Sequence, residues 1–138
     1  MMHRSEEGSI SVEVSIMGVL LIVFLLLVIG LGRMSQARFD VTGAAHDAAR
    51  AASLESNASA ADHAARAAAD AALADRGLSC AQMNVDVNTA AFRPGGEVTA
   101  QVTCVADLSD LSLVWVPGSR TFSEEAVAPI EQYRTVDQ

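Results

Sequence analysis

The sequence predicts an α+β chain: a long amino-terminal transmembrane helix with an alanine-rich extension, then a small antiparallel β-sheet of about three strands. Three observations carry this reading. From Val14 to Gly32 no side chain is charged or an amide. Alanine is then the commonest residue from Ala37 to Ala74, and no proline interrupts the chain before Pro94. Beyond Ser79 the apolar residues recur with a period of two, the signature of half-buried strands.

As a helix, Val14 to Gly32 spans about 28 Å at ~1.5 Å per residue, close to the ~30 Å hydrocarbon thickness of a bilayer. Its centre, Val19 to Ile29, is apolar all round, and the rest of the chain has too few large apolar residues to cover it as a soluble core. A removable secretory signal has an apolar core of only ~7–15 residues before a small-x-small site. Ser35-Gln36-Ala37 fits that site pattern, but it follows Arg33 inside a continuing helical pattern, so a retained span is the preferred reading.

In the extension, Val41, Ala45, Ala48 and Ala52 recur at helical spacing as a narrow stripe of small residues, with Asp40, Asp47, Arg50 and Glu55 mostly off it. Such a stripe suits close packing in a bundle or filament, or it is the padding of a solvated helix. Ser53 to Ser56 is a weak break, after which Ser56 or Asn57 can cap a second helix. Asp62, Arg66 and Asp70 form an i, i+4, i+8 charge ladder, and Gly77 is placed to end the helix. His46 and His63, isolated among alanines, read as solvated residues rather than ligands.

Met83, Val85 and Val87 alternate with polar residues, as do Val98, Ala100, Val102, Cys104 and Ala106, and Pro94-Gly95-Gly96 supplies a turn between them. This is an antiparallel hairpin. A third strand is expected from Arg120 to Ala128, with Glu124 and Glu125 blurring its inward face. The stretch from Leu108 to Gly118 is apolar but irregular; it covers the sheet, or its Trp115 docks at a membrane or a partner. The hairpin brings Cys80 and Cys104 together, so a disulfide is geometrically reasonable and places everything after Gly32 in an oxidising compartment. Two independent buried thiols are the alternative.

The 138 residues carry a net charge of −8, which argues against a nucleic-acid binder. All nine basic residues are arginine. The chain is 51% hydrophobic but only 4% aromatic, so its apolar content is aliphatic side chains and alanine. Three scattered histidines and two cysteines make neither a CxxC redox motif nor a zinc site. No carboxylate pair, Ser-His-Asp set or glycine-rich phosphate loop has a credible context, so no catalytic, cofactor or metal residues are expected. Neither a nucleic acid nor a small-molecule substrate is expected as partner.

The sharpest signal precedes the apolar run. A polar leader ends in Gly8-Ser9-Ile10-Ser11-Val12-Glu13. Cut after Gly8, the chain would begin at Ser9 and carry Glu13 as its fifth residue. Glycine suits a scissile position because a peptidase needs an extended, unhindered peptide. An ionisable side chain in a membrane helix is costly. Glu13 either snorkels to the headgroups beside the helix N-terminus or pairs with a new α-amino group at Ser9, on its own or a neighbouring subunit. The second option would set the axial register of packed helices.

This pattern, with Gly32-Arg33-Met34-Ser35-Gln36-Ala37 and Val41 to Ser53, resembles the TadE-like minor pilins or pseudopilins of Tad (type IVc) pili. Phe92-Arg93-Pro94-Gly95-Gly96 and Ala128 to Arg134 resemble actinobacterial members more loosely. Type IV pilins often begin with Phe or Met after cleavage; Ser9 suits the pseudopilin branch. The resemblance implies a pilin-like fold and a structural role in assembling a surface pilus. It also implies processing by a prepilin peptidase at Gly8 and Ser9, with Glu13 fixing register. Other pilin subunits, an inner-membrane platform protein and an assembly ATPase are the implied partners.

The expected organisation is a cytoplasmic leader (1–8), a transmembrane helix (9–32), an alanine-rich extracytoplasmic arm (33–77) and a small disulfide-braced β domain (78–138). Arginine counts alone favour the reverse orientation, with Arg4 on the leader side against Arg33 and Arg38 beyond the span. The cytoplasmic leader rests on the resemblance and on the cysteine pair. A single-pass anchored binding or sensor module without a filament role is the alternative.

Overall fold

The computed structural model describes residues 6–107 and 118–133, with side chains from residue 12 onward. The elements run α1 (Glu6–Ser53), α2 (Ala58–Asp75), β1 (Cys80–Asn88), β2 (Glu97–Asp107) and β3 (Ser119–Pro129). The chain divides into two units, Met1–Ser35 and Gln36–Gln138, and α1 contributes to both. The α+β reading holds, with three antiparallel strands in the order β1-β2-β3. The irregular stretch expected at Leu108 to Gly118, with Trp115, lies outside the described residues except for Gly118.

In the first unit every large apolar side chain from Val12 to Ile29 is exposed. A helix of that composition has no aqueous surface to present; it is long and apolar enough to cross a membrane. It also continues unbroken through Ser35-Gln36-Ala37, where a signal-peptide site would need extended chain.

In the second unit the small-residue stripe has a different use from either expectation. Val41, Ala44, Ala45, Ala48, Ala49 and Ala52 are buried, and they share one core with Ala61, Ala65, Ala69 and Leu73 of α2 and the inner row of the sheet. Neither a neighbouring subunit nor solvent covers the stripe; the chain's own second helix and sheet do. Alanine is needed there because small side chains let two helices and a sheet approach closely. The helical arm and the strands are therefore one packed unit.

The break between the helices falls where expected. Ser53 ends α1, and its hydroxyl donates to the Arg50 carbonyl at 2.8 Å. Asn57 is the cap of α2: its Oδ1 accepts from the Ala60 amide at 2.8 Å, satisfying one of the helix's unpaired amides. At the other end Gly77 has φ +71, and the Leu78 amide donates to the Leu73 carbonyl while the Gly77 amide donates to Ala74. This is a Schellman motif, with Leu73 and Leu78 both packed on the core. Of the charge ladder, Arg66 donates to both oxygens of Asp62 at 2.9 and 3.2 Å. No hydrogen bond from Arg66 to Asp70 is among those described.

The strands keep the expected faces. Val98, Ala100, Val102, Cys104 and Ala106 point inward and are buried. Opposite them Val85 pairs with Val102 and Val87 with Ala100. A register shift between Cys80 and Gln82 inserts one residue, so Cys80 and Met83 both face the core although their numbers differ in parity. On β3, Phe122, Glu124, Ala126 and Ala128 form the inward row, with Phe122 opposite Cys104 and Glu124 opposite Val102.

Candidate functional site

The residues expected to matter for processing and register share α1. Gly8 and Ser9 lie in its first turns and Glu13 one turn beyond Ser9, a rise of about 6 Å. Residues four apart on a helix share a face, so an amine at Ser9 and the Glu13 carboxylate would be neighbours on one helix or across two. Glu13 is exposed and edged by Val12, Ile16 and Met17. Among the described residues no ion pair includes it. An acid ringed by aliphatic side chains in a membrane-type helix has a strong electrostatic motive to find a cation.

Two features of the second unit were missed from the sequence. Arg38 of α1 donates its Nε–H to Glu124 Oε1 at 2.8 Å. Glu124, which blurred the predicted strand, keeps only 21% of its side chain exposed while Arg38 keeps 70%. An acid at an inward position of a strand was the available signal that a cation from another element must reach it. Second, Arg76 at the end of α2 lies over Gly43 of α1, where an added Cβ would stand 2.8 Å from its Nη2. From there Arg76 donates to Asp47 Oδ2 at 3.2 Å and to the Ala72 carbonyl at 3.0 Å, closing the C-terminus of α2.

The two carboxy-terminal segments singled out in the sequence meet each other. Arg93 to Gly96 is a type II turn, with Pro94 at its second position, Gly95 at φ +74 and the Gly96 amide bonded to the Arg93 carbonyl at 2.8 Å. The Gly95 amide donates to the Ile130 carbonyl at 3.1 Å, and the Ile130 amide donates to the Gly96 carbonyl at 2.9 Å. Ile130 is buried, so the turn is fastened to the end of β3.

Cys80 and Cys104 are joined by a disulfide with their Cα atoms 5.4 Å apart. It ties the chain leaving α2 to the central strand. Its loop, with the cysteines 24 positions apart in sequence, is worth roughly 3 kcal/mol. His46 and His63 are exposed, and no cluster of three metal-ligating side chains occurs among the described residues. The outer face of the sheet carries a shallow polar hollow between Asp86, Asn88, Thr99, Gln101 and Glu125.

The family model described as TadE-like protein matches residues 8–50. That segment contains Gly8, Ser9 and Glu13, the whole apolar run, and Val41 to Ala49 of the buried stripe. No curated protein and no solved structure matches the chain. Over residues 8–50 the chain is similar to TadE-like proteins, its apolar helix and the alanine-rich start of its folded unit being the parts that carry the likeness.

Proposed function

We propose that this chain is a minor pilin or pseudopilin that supports assembly of a Tad-type surface pilus, with a structural and non-catalytic role. The carrying observation is an acid, Glu13, five residues into the helix that cleavage after Gly8 would leave, on a span that is otherwise aliphatic and inside the family-matched segment. A plain membrane anchor needs neither that acid nor a glycine before it.

In this reading a prepilin peptidase cuts between Gly8 and Ser9 on the cytoplasmic side. The apolar helix stays in the cytoplasmic membrane until it is drawn among other pilin helices. Glu13 then meets a liberated α-amino group, and that contact sets the register. The unit from Gln36 onward stands outside the membrane, a placement that the Cys80–Cys104 disulfide supports because such bonds persist in oxidising compartments. An inner-membrane platform protein and an assembly ATPase supply the force, and adhesion of the pilus is a downstream role.

The test is the mass of the amino terminus of the chain extracted from membranes. A mature protein beginning at Ser9 is expected, with Gly8→Lys accumulating unprocessed and surface pili lost. An intact leader in cells that make pili would instead leave an anchored extracytoplasmic binding or sensor module.

A further inference from the structure

We infer that the Cys80–Cys104 disulfide is a redox gate on folding of the unit from Gln36 onward, which stays open while the thiols are reduced and closes when they are oxidised. The argument begins with what the core lacks. Its buried members are alanines and valines with Leu73, Ile130 and Cys104, and no aromatic side chain among the described residues is fully buried. The largest fully buried side chains are Val41, Val85, Val98, Val102 and Cys104 itself. Each alanine removes only one methyl group from water, so this core gains little apolar burial for each residue it orders. Small extracytoplasmic domains with thin cores commonly depend on covalent cross-links.

The position of the bond matters as much as its presence. Cys80 follows the Schellman turn that ends α2 and opens β1, and Cys104 sits late in the buried row of β2, the strand that holds the other two together. The bulge at Ala81 turns Cys80 inward to reach it. The disulfide is therefore a covalent tie between the start of β1, where the chain enters the sheet from α2, and the central strand. The ion pair of Arg38 with Glu124 and the packing of small side chains hold the helices against that sheet.

Closing the gate is a thiol–disulfide exchange. One cysteine thiolate attacks a sulfur of an external disulfide, held by a dithiol oxidoreductase or a small molecule, and forms a mixed disulfide. The second thiolate displaces it. Two electrons and two protons pass from Cys80 and Cys104 to the oxidant, which leaves as a dithiol if it is an oxidoreductase and as two thiols if it is a small-molecule disulfide. A chain made in a reducing compartment would thus keep this unit unfolded, and competent for transfer across a membrane, until it reaches an oxidising one. That last step rests on the proposed extracytoplasmic placement; the gating of the fold does not.

The experiment uses the full chain in lipid nanodiscs and follows amide hydrogen exchange before reduction, after reduction with excess phosphine, and after reoxidation with glutathione disulfide. Reduction is expected to bring the β2 amides from Val98 to Cys104 to the exchange rates of an unfolded chain, an acceleration of at least about a hundredfold given the loop entropy released. The amides of α1 from Leu20 to Val28 should keep their protection, and reoxidation should restore the sheet. Sheet amides that stay protected above unfolded-chain rates after reduction overturn the gate. Cys80→Ala with Cys104→Ala should match the reduced chain under both conditions; native protection in that variant also overturns it. Reversal by reoxidation of the unaltered chain separates loss of the cross-link from loss of the cysteine side chains. Because the measurement needs no pilus and no processing, its failure leaves the pilus reading standing, and that reading fails separately on an uncut leader.

Discussion

Arg38 and Glu124 are joined at 2.8 Å although 86 positions separate them, and the bond fastens α1 to the inward row of β3. Glu124 sits where an apolar side chain belongs, and the guanidinium is what makes an acid tolerable there. Arg38→Ala leaves that carboxylate half-buried without a cation. The expected loss is about 1 kcal/mol, discounted because Arg38 is largely exposed. Combining it with Glu124→Val, which suits both a strand and an inward position, should recover the loss. Thermal unfolding of the oxidised chain, followed by circular dichroism, checks both.

Much of the fold was legible because local chemistry and tertiary packing agree. The stripe from Val41 to Ala52, the alternation from Val98 to Ala106 and the Asn57 and Gly77 boundaries each satisfy a short-range rule that the structure also satisfies. What covers the stripe was not legible. Periodicity reveals that a face is apolar but not which surface it meets, and alanine is as much at home in a filament as between helices and a sheet. The contacts of Arg38 with Glu124 and of Arg76 with Gly43 bridge distant elements, which no local pattern encodes. The processing residues were the reverse case: Gly8, Ser9 and Glu13 are read from spacing along one helix, and the fold adds only that they share it.

Asn57 provides a clean test of the helix break. Asn57→Ala removes the side-chain oxygen that accepts from the Ala60 amide and should cost about 1 kcal/mol, whereas Asn57→Ser or Asn57→Asp should be nearly neutral. Denaturant midpoints of the three variants, at unchanged slope, decide it.

The glycines separate into two kinds. Gly96→Ala would drive a methyl group into the Ala91 carbonyl, a backbone atom that cannot swing aside, and should destabilise by roughly 1–3 kcal/mol. Gly43→Ala meets only the end of the Arg76 side chain. It should displace that guanidinium from Asp47, giving up an exposed ion pair, and gain up to about 1 kcal/mol of helix propensity. A melting temperature at or above that of the unaltered chain is expected for Gly43→Ala, and a clear fall for Gly96→Ala.

Asp62 gives the pH dependence a sign. Its hydrogen bond from Arg66 holds the carboxyl below its ordinary value, outweighing the opposing effect of burial, and the attraction of the Arg66 charge adds to it. A group whose folded value is depressed stabilises above its unfolded value, near 3.9, and loses that contribution as pH falls through the folded one. The pair is exposed, so the effect is only about 0.3–0.5 kcal/mol. Asp62→Asn should remove that increment at pH 7 and leave stability unchanged near pH 2, as read from denaturant unfolding at the two pH values.

Glu13 separates insertion from assembly. Glu13→Gln keeps the size and hydrogen-bonding capacity of the side chain while removing its charge, and it makes the helix less costly to hold in lipid. A membrane anchor should therefore be as well inserted as before, or better. Cleavage after Gly8 should also proceed, since the peptide bond and its flanking residues are unchanged. What the neutral amide cannot do is compensate an α-amino group buried among packed helices, where an unpaired charge is strongly unfavourable. Normal membrane levels, a terminus at Ser9 and few or no surface fibres are the expected combination, read by immunoblot, mass spectrometry and electron microscopy. Fibres of unaltered number and length in this variant would remove the electrostatic basis of the proposed role.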